Sequence, residues 1–186
     1  MRARTGLILA VLALGLGACE PPAGQGEGEP SRAPAKAAFS HTLSGDVSGY
    51  FIPLWPITVG EWRLHHLFMG QPADFTTWEG GGRSGPFAPV MIEFENTAGT
   101  PVQSELGESL PRSRVLPSSY EVTDGRVRFN GRSADLGEVS FDGRLDQDAL
   151  ATARRNLGDE GRVVSGTLKV GDRTFDGVQM KWWAGD

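Results

Sequence analysis

One stretch decides the fold class: Ser119-Tyr120-Glu121-Val122-Thr123-Asp124-Gly125-Arg126-Val127-Arg128-Phe129. Apolar and polar residues alternate on both sides of Asp124-Gly125, and this period of two residues is typical of a half-buried β-strand. An Asp-Gly pair accepts the positive φ angles of a tight hairpin turn. The stretch therefore predicts an antiparallel hairpin in which Val122, Val127 and Phe129 face a core.

Segments with the same alternation recur on both sides of this hairpin. They cover residues 47–52, 61–69, 90–95, 137–141, 163–170 and 174–183. Gly171-Asp172-Arg173 joins the last two segments and predicts a second hairpin. Because Trp182 and Trp183 occupy adjacent strand positions, we expect them to face opposite sides of the sheet.

One short helix is predicted between residues 146 and 158. Asp146 is a favourable N-cap, Arg154 and Arg155 suit the negative end of the helix dipole, and Gly158 is a stop signal. Sequential hairpins and one small helix predict a mainly β fold, a small antiparallel β-barrel. Its meander resembles lipocalin-like barrels in architecture, although the sequence has no lipocalin motif. A two-sheet β-sandwich is the alternative.

The first 18 residues have the parts of a secretory signal peptide. Arg2 and Arg4 precede an apolar run over residues 6–17, which is short for a membrane span. The run ends in Leu16-Gly17-Ala18-Cys19, which resembles the lipobox of bacterial lipoproteins. The resemblance implies cleavage after Ala18 and transfer of a diacylglyceryl group to the Cys19 thiol. An ordinary secretory signal or an uncleaved short anchor is the alternative.

Residues 19–38 are expected to be the lipidated cysteine followed by a disordered tether. The tether is expected because this segment is rich in proline and glycine and contains no aromatic residue. Such a chain spans on the order of 25 Å. In bacterial lipoproteins an aspartate directly after the cysteine favours retention in the inner membrane, and this position is Glu20 here. We therefore expect the protein to be anchored in the outer membrane and to face the periplasm. Residues 39–186 are expected to form a single β domain.

Composition excludes some partners and cofactors. The formal net charge is −5, whereas a protein that binds nucleic acid usually presents a basic face, so no nucleic acid is expected. The run Gly80-Gly81-Gly82-Arg83-Ser84-Gly85 lacks the Lys-Ser or Lys-Thr pair of a phosphate-binding loop. No cofactor is therefore predicted.

Aromatic residues and a histidine are the candidates for contact with a small lipophilic ligand. If segment 61–69 is a regular strand, one of its faces carries a tryptophan, a histidine and a phenylalanine, and the irregular loop 71–89 adds another tryptophan. The candidate ligand-binding residues are Trp62, His66, Phe68 and Trp78. Alternatively, His66 is a hydrogen-bonded core histidine, and the loop aromatics Phe75, Trp78 and Phe87 plug one end of the barrel, which is the preferred interpretation of the loop.

The sequence predicts neither a metal site nor a catalytic residue. His65 and His66 are adjacent on a predicted strand, so they should point to opposite faces and cannot share one ion. Glu93 and Glu95 lie on one strand face, which is the arrangement of a glycosidase pair but also of a strand that faces solvent. We favour the solvent-facing strand.

These features favour a lipid-anchored, non-catalytic envelope protein. Its β domain is expected to bind a small ligand or a partner protein of the envelope, and Cys19 is expected to provide the contact with the membrane. The alternative is an envelope hydrolase or a glycan-processing enzyme that uses carboxylates near the loop 71–89.

Overall fold

The computed structural model describes residues 38–83, 85–104 and 107–185. The predicted signal peptide 1–18, Cys19 and all of the predicted tether except Ala38 lie outside these residues. Within the described ranges, no helix is long and apolar enough to cross a membrane. The described chain is mainly β, as the sequence predicts.

Thirteen strands and two helices lie in the described ranges. The strands are β1 Phe39–Thr42, β2 Gly49–Pro53, β3 Thr58–Val59, β4 Trp62–Met69, β5 Val90–Asn96, β6 Val102–Ser104, β7 Gly107–Ser109, β8 Arg112–Val115, β9 Pro117–Thr123, β10 Arg126–Ser133, β11 Gly137–Leu145, β12 Val164–Val170 and β13 Arg173–Trp183. The helices are α1 Pro72–Glu79 and α2 Gln147–Arg155. Both predicted hairpins are confirmed, as β9–β10 and β12–β13.

One large sheet holds most of these strands, in the order β1-β9-β10-β11-β12-β13-β2-β4-β5-β8, with β3 paired to β4. Strands β6 and β7 form a separate ribbon. Neighbours in the large sheet are antiparallel except β1 and β9, which are parallel. The sheet curls into an open half-barrel and not a closed barrel, so the mainly β prediction is confirmed, whereas neither the predicted β-barrel nor the alternative sandwich is.

Strand β1 forms one edge of the open sheet, and β8 forms the other. Only Leu116 separates β8 from β9, so the chain itself brings one end of the sheet close to the other. Strand β1 pairs with β9 on the side away from β10, so β1 and not β9 forms that edge of the sheet. The alternation pattern predicts neither β1 nor β8, because each strand has only four residues.

The concave side of the half-barrel holds the core. Phe129 lies opposite Phe141 on the neighbouring strand, and Phe141 lies opposite Leu168 on the next. All three side chains are at most 2% exposed. Burial of such a side chain contributes about 1.5–3 kcal/mol, so this row of cross-strand contacts stabilises the middle of the sheet.

Helix α2 lies where the sequence predicts it. The Asp146 carboxylate accepts a hydrogen bond from Ala149 N at 3.0 Å, and Leu150 and Ala153 are buried. The helix ends before Asn156 rather than at Gly158.

Helix α1 contradicts the prediction of an irregular loop over residues 71–89. Asp74 in its first turn accepts a hydrogen bond from Gln71 N at 2.8 Å, and Pro72 occupies a first-turn position that tolerates proline. Phe75 and Trp78 of α1 are buried, as expected for aromatic residues that cover one end of the core. Phe87 is 58% exposed and does not take part in this.

Replacing Phe141 by alanine tests the contribution of the cross-strand row. We expect Phe141→Ala to reduce the free energy of unfolding by about 3–5 kcal/mol, because it leaves a cavity in a tightly packed core. Chemical denaturation followed by tryptophan fluorescence measures this change. The exposed Phe87 offers the matched control, and Phe87→Ala should cost less than about 1 kcal/mol. Equal losses in the two variants would contradict the assigned core.

Candidate functional site

A β-bulge in β4 sets the geometry of the candidate site. Leu64 pairs with Phe94 of β5, but the next paired residue is His66, opposite Glu93, so His65 is an extra residue in the strand. One extra residue reverses the alternation of the side chains that follow it. Leu67 and Met69 therefore face the core together with Leu64, as their full burial indicates.

Two sequence predictions fail for this reason. Trp62 lies before the bulge on the face of Leu64, whereas the shifted register places His66 and Phe68 on the other, outer face, so the predicted common face of the three residues does not exist. His65 and His66 do not point apart either. Their Nδ1 atoms are 2.6 Å apart, and their rings meet edge to face at 4.9 Å.

These two imidazoles lie together with the carboxylate of Glu93 on the neighbouring strand. We call the three residues the His65–His66–Glu93 cluster. His65 Nδ1 lies 4.0 Å from Glu93 Oε1. The contact between the two Nδ1 atoms requires that one ring donates an N–H group and that the other accepts with an unprotonated nitrogen. The cluster therefore has at least one imidazole lone pair directed into it.

Two arginines of β8 hold the Glu93 carboxylate. Arg112 Nη1 donates to Oε1 at 2.8 Å, and Arg114 donates to Oε2 from Nε at 3.1 Å and from Nη2 at 3.0 Å. Burial opposes ionisation of Glu93, but the hydrogen bonds from Arg114 and Arg112 and the nearby charges prevail and lower its pKa. Glu93 is only 2% exposed, so the prediction of a solvent-facing strand is wrong here.

Both histidines of the cluster are neutral at pH 7. Burial lowers the pKa of His66 to about 4, and the charge of Glu93 offsets only part of that effect. Burial and then the charge of Arg112 lower the pKa of His65 as well. Neutral imidazole is the form that ligates metal ions, so these residues could hold one beside Glu93.

Aromatic rings lie beside the cluster on the same outer face. The ring of Tyr50 lies 4.9 Å from that of His66, 5.3 Å from Phe68 and 5.5 Å from Trp183, between ring centroids. Trp183 is 38% exposed. Trp182 packs on the core side and donates from Nε1 to Ser48 O at 3.0 Å, so the predicted opposite orientation of the two tryptophans is confirmed.

These rings border a pocket of about 840 Å³ that opens to solvent. We call it the aromatic pocket. Its lining includes Tyr50, His65, His66, Arg112, Lys181 and Trp183. It thus combines aromatic surface and imidazole with Arg112 and with the ion pair between Lys181 and Glu160, which also lines the pocket.

The four predicted ligand-binding residues do not form one site. His66 lines the aromatic pocket. Phe68 is not part of the lining, but its ring packs against Tyr50, which is. Trp78 of α1 is 8% exposed and lines, with Phe68, a separate depression of about 340 Å³. Trp62 lies on the core side of β4.

The carboxylates of the segment 71–89 serve local contacts. Asp74 accepts the backbone hydrogen bond that begins α1. Glu79 accepts from Tyr120 Oη at 3.0 Å and from His41 Nδ1 at 3.0 Å. Burial, followed by the hydrogen bond to Glu79, raises the pKa of Tyr120. This second cluster joins α1 to β1 and β9.

Sequence reasoning misses Arg112, Arg114 and Tyr50 as site residues. A signal for the two arginines exists, because Arg112-Ser113-Arg114 alternates with the same period as Glu93-Phe94-Glu95. Cross-strand pairing of opposite charges would have favoured placing the two segments side by side.

Comparisons with protein-family models, with curated proteins and with solved structures find no match to this chain.

The lowered pKa of His66 predicts how stability depends on pH. Since unfolding returns the pKa to an ordinary value near 6.5, the unfolded chain binds more protons between pH 6.5 and about 4. The free energy of unfolding should therefore fall as the pH drops through this range, by up to about 3 kcal/mol.

Urea denaturation between pH 7.5 and 4, with EDTA present, measures this effect. The groups facing the ring are His65, Glu93, Arg112 and Arg114, and these remain in His66→Gln, so the part of the decrease due to His66 should disappear in that variant and the part due to His65 should remain. An identical pH slope in the two proteins would contradict the assignment to His66.

Proposed function

We propose that this protein is a lipoprotein of the bacterial outer membrane, facing the periplasm and held there by fatty chains on Cys19. The lipobox resemblance of Leu16-Gly17-Ala18-Cys19, after a charged and then apolar signal segment, supports the proposal. Each buried methylene contributes about 0.8 kcal/mol, so two or three acyl chains give durable attachment. The tether 20–38 would let the β domain work clear of the headgroups.

Metabolic labelling tests the anchor. Cells that express the wild-type chain should incorporate radiolabelled palmitate into the protein, and the protein should sediment with outer-membrane vesicles. Cys19→Ser should take up no label, because the acylated thiol is gone. Label in Cys19→Ser, or a mature wild-type N-terminus upstream of Cys19, would contradict the proposal.

We further propose that the β domain is a non-catalytic binding domain that takes a small lipophilic, ring-containing ligand in the aromatic pocket. The observation that carries this proposal is the exposed Trp183, held against Tyr50 at the edge of an open pocket. Exposed aromatic surface beside a few polar groups is typical of ligand sites.

The packed core argues for a site on the outside of the sheet. A lipocalin-like barrel would carry its ligand inside, but here Phe129, Phe141 and Leu168 occupy the concave side. The bulge in β4 places His66 and Phe68 on the outer face, where they extend the aromatic surface of Tyr50.

The electrostatics of Glu93 argue against the hydrolase alternative. A glycosidase needs a carboxylic acid whose pKa is raised, so that it can donate a proton near neutral pH. Two arginines lower the pKa of Glu93 instead, and Glu79 is bound by His41 and Tyr120. These contacts leave the three carboxylates Asp74, Glu79 and Glu93 engaged in structural interactions.

Native mass spectrometry of the full-length lipoprotein, extracted in mild detergent from its own membranes, tests the binding proposal. We expect a retained small molecule on the wild-type protein and about fivefold weaker retention on Trp183→Ala, because an aromatic contact contributes about 1 kcal/mol. Trp55→Ala is the control, since Trp55 is 65% exposed and does not line the pocket.

Three results would contradict this proposal. They are a wild-type protein without any retained molecule, equal occupancy in Trp183→Ala and wild type, and retention of a stoichiometric protein partner instead of a small ligand.

A further inference from the structure

We propose that His65, His66 and Glu93 form a binding site for a divalent transition-metal ion of the Zn²⁺, Cu²⁺ or Ni²⁺ type. This inference goes beyond the proposed ligand binding and does not depend on it. The observation that carries it is the bulge in β4, which turns two adjacent histidines to the same face as a buried carboxylate.

The positions of the donor atoms fit a single ion after small side-chain rotations. One ligand atom from each of the three residues lies within 4.8 Å of the other two. Bonds of about 2.0–2.2 Å in a tetrahedral site place ligand atoms roughly 3.3–3.6 Å apart. The two Nδ1 atoms, at 2.6 Å, must separate slightly, and His65 Nδ1 must approach Glu93 Oε1 from 4.0 Å.

The donor set selects the class of metal. Two imidazole nitrogens and one carboxylate oxygen suit Zn²⁺, Cu²⁺ and Ni²⁺, which accept nitrogen ligands readily. Ca²⁺ and Mg²⁺ prefer shells made of oxygen atoms. One of the two rings donates through Nδ1–H in the cluster, so that ring must carry its proton on Nε2 instead, as the other neutral tautomer, before both Nδ1 atoms can bind the ion.

Arg112 and Arg114 can remain in place when the ion binds. Each carboxylate oxygen has about two acceptor positions, so Glu93 Oε1 can ligate a metal while Arg112 still donates to it. Outer hydrogen bonds of this kind orient metal ligands. The two guanidinium charges also repel a cation, so we expect an affinity below that of a structural zinc site.

The site borders the aromatic pocket. His65 and His66 belong to the lining of that pocket, so an ion held by three protein ligands would have an open coordination position next to Tyr50 and Trp183. Three protein ligands and one exchangeable position are typical of zinc sites that bind a water molecule or a small ligand.

A competition titration tests the site with the metal alone. The full-length lipoprotein in detergent is stripped with EDTA, dialysed, and titrated with Zn²⁺ against a chromogenic chelator. We expect one ion per wild-type chain. His65→Gln and His66→Gln should each weaken binding more than about tenfold, because even outer partners of metal ligands contribute about 10–100-fold.

The third histidine of the chain provides the matched control. His41 contacts Glu79 and lies outside the cluster, so His41→Gln should bind Zn²⁺ within about twofold of wild type. Cys19→Ser should also bind like wild type. Loss of binding in Cys19→Ser would show that the ion depends on Cys19 rather than on the cluster, and would overturn the proposal.

Thermal unfolding distinguishes loss of the site from loss of the fold. Zn²⁺ should raise the Tm of wild type and His41→Gln, but should not raise that of His65→Gln or His66→Gln, whose own unfolding transitions remain visible. With Cu²⁺, the electron paramagnetic resonance spectrum should show coupling to two imidazole nitrogens in wild type and to one in each His variant.

Two further outcomes overturn the proposal: no binding by the wild-type protein, or unchanged binding in His66→Gln. Neither outcome bears on ligand retention in the aromatic pocket, which native mass spectrometry measures from the mass of the retained molecule. Failure of the metal site and failure of the proposed ligand binding are therefore distinguishable.

Discussion

The pairing of β4 with β5 is the constraint on which the outer face depends. Its register shifts once, between Leu64 and His66. Because of the extra residue there, one side of β4 faces the core and the other carries the candidate site. Before and after the bulge, apolar residues still reach the core, so the sheet loses no burial. As a result, His65 has no pairing partner on β5, and two histidines lie beside the carboxylate of Glu93.

The buried carboxylate of Glu93 links the β4–β5 pairing to β8 at the edge of the sheet. A carboxylate removed from water is costly unless charged donors satisfy it. Arg112 and Arg114 supply three hydrogen bonds from β8, the last strand of the sheet. The charged contact therefore joins β8 to β5, and it also keeps the neighbourhood of the histidines ordered without adding net negative charge.

Most of the regular elements could be predicted from local pattern. The strand patterns predict the eight longer strands, and Asp146 as an N-cap predicts α2, because both signals depend on residues close in sequence. Helix α1 escapes prediction because its threonines and aromatic residues are indifferent helix formers, and burial of Phe75 and Trp78 stabilises it instead. The short strands β1 and β8 carry too few residues to show a period.

The sequence by itself determined the fold class, the hairpins, the acidic character of the chain and the resemblance of its N-terminal segment to a lipoprotein signal, since each follows from local order or composition. Only the tertiary structure decided which face His65 and His66 share, that Glu93 is buried and that the sheet stays open. A bulge arises from the pairing of two distant segments. Strict alternation cannot reveal it, and one inserted residue reassigns every side chain that follows.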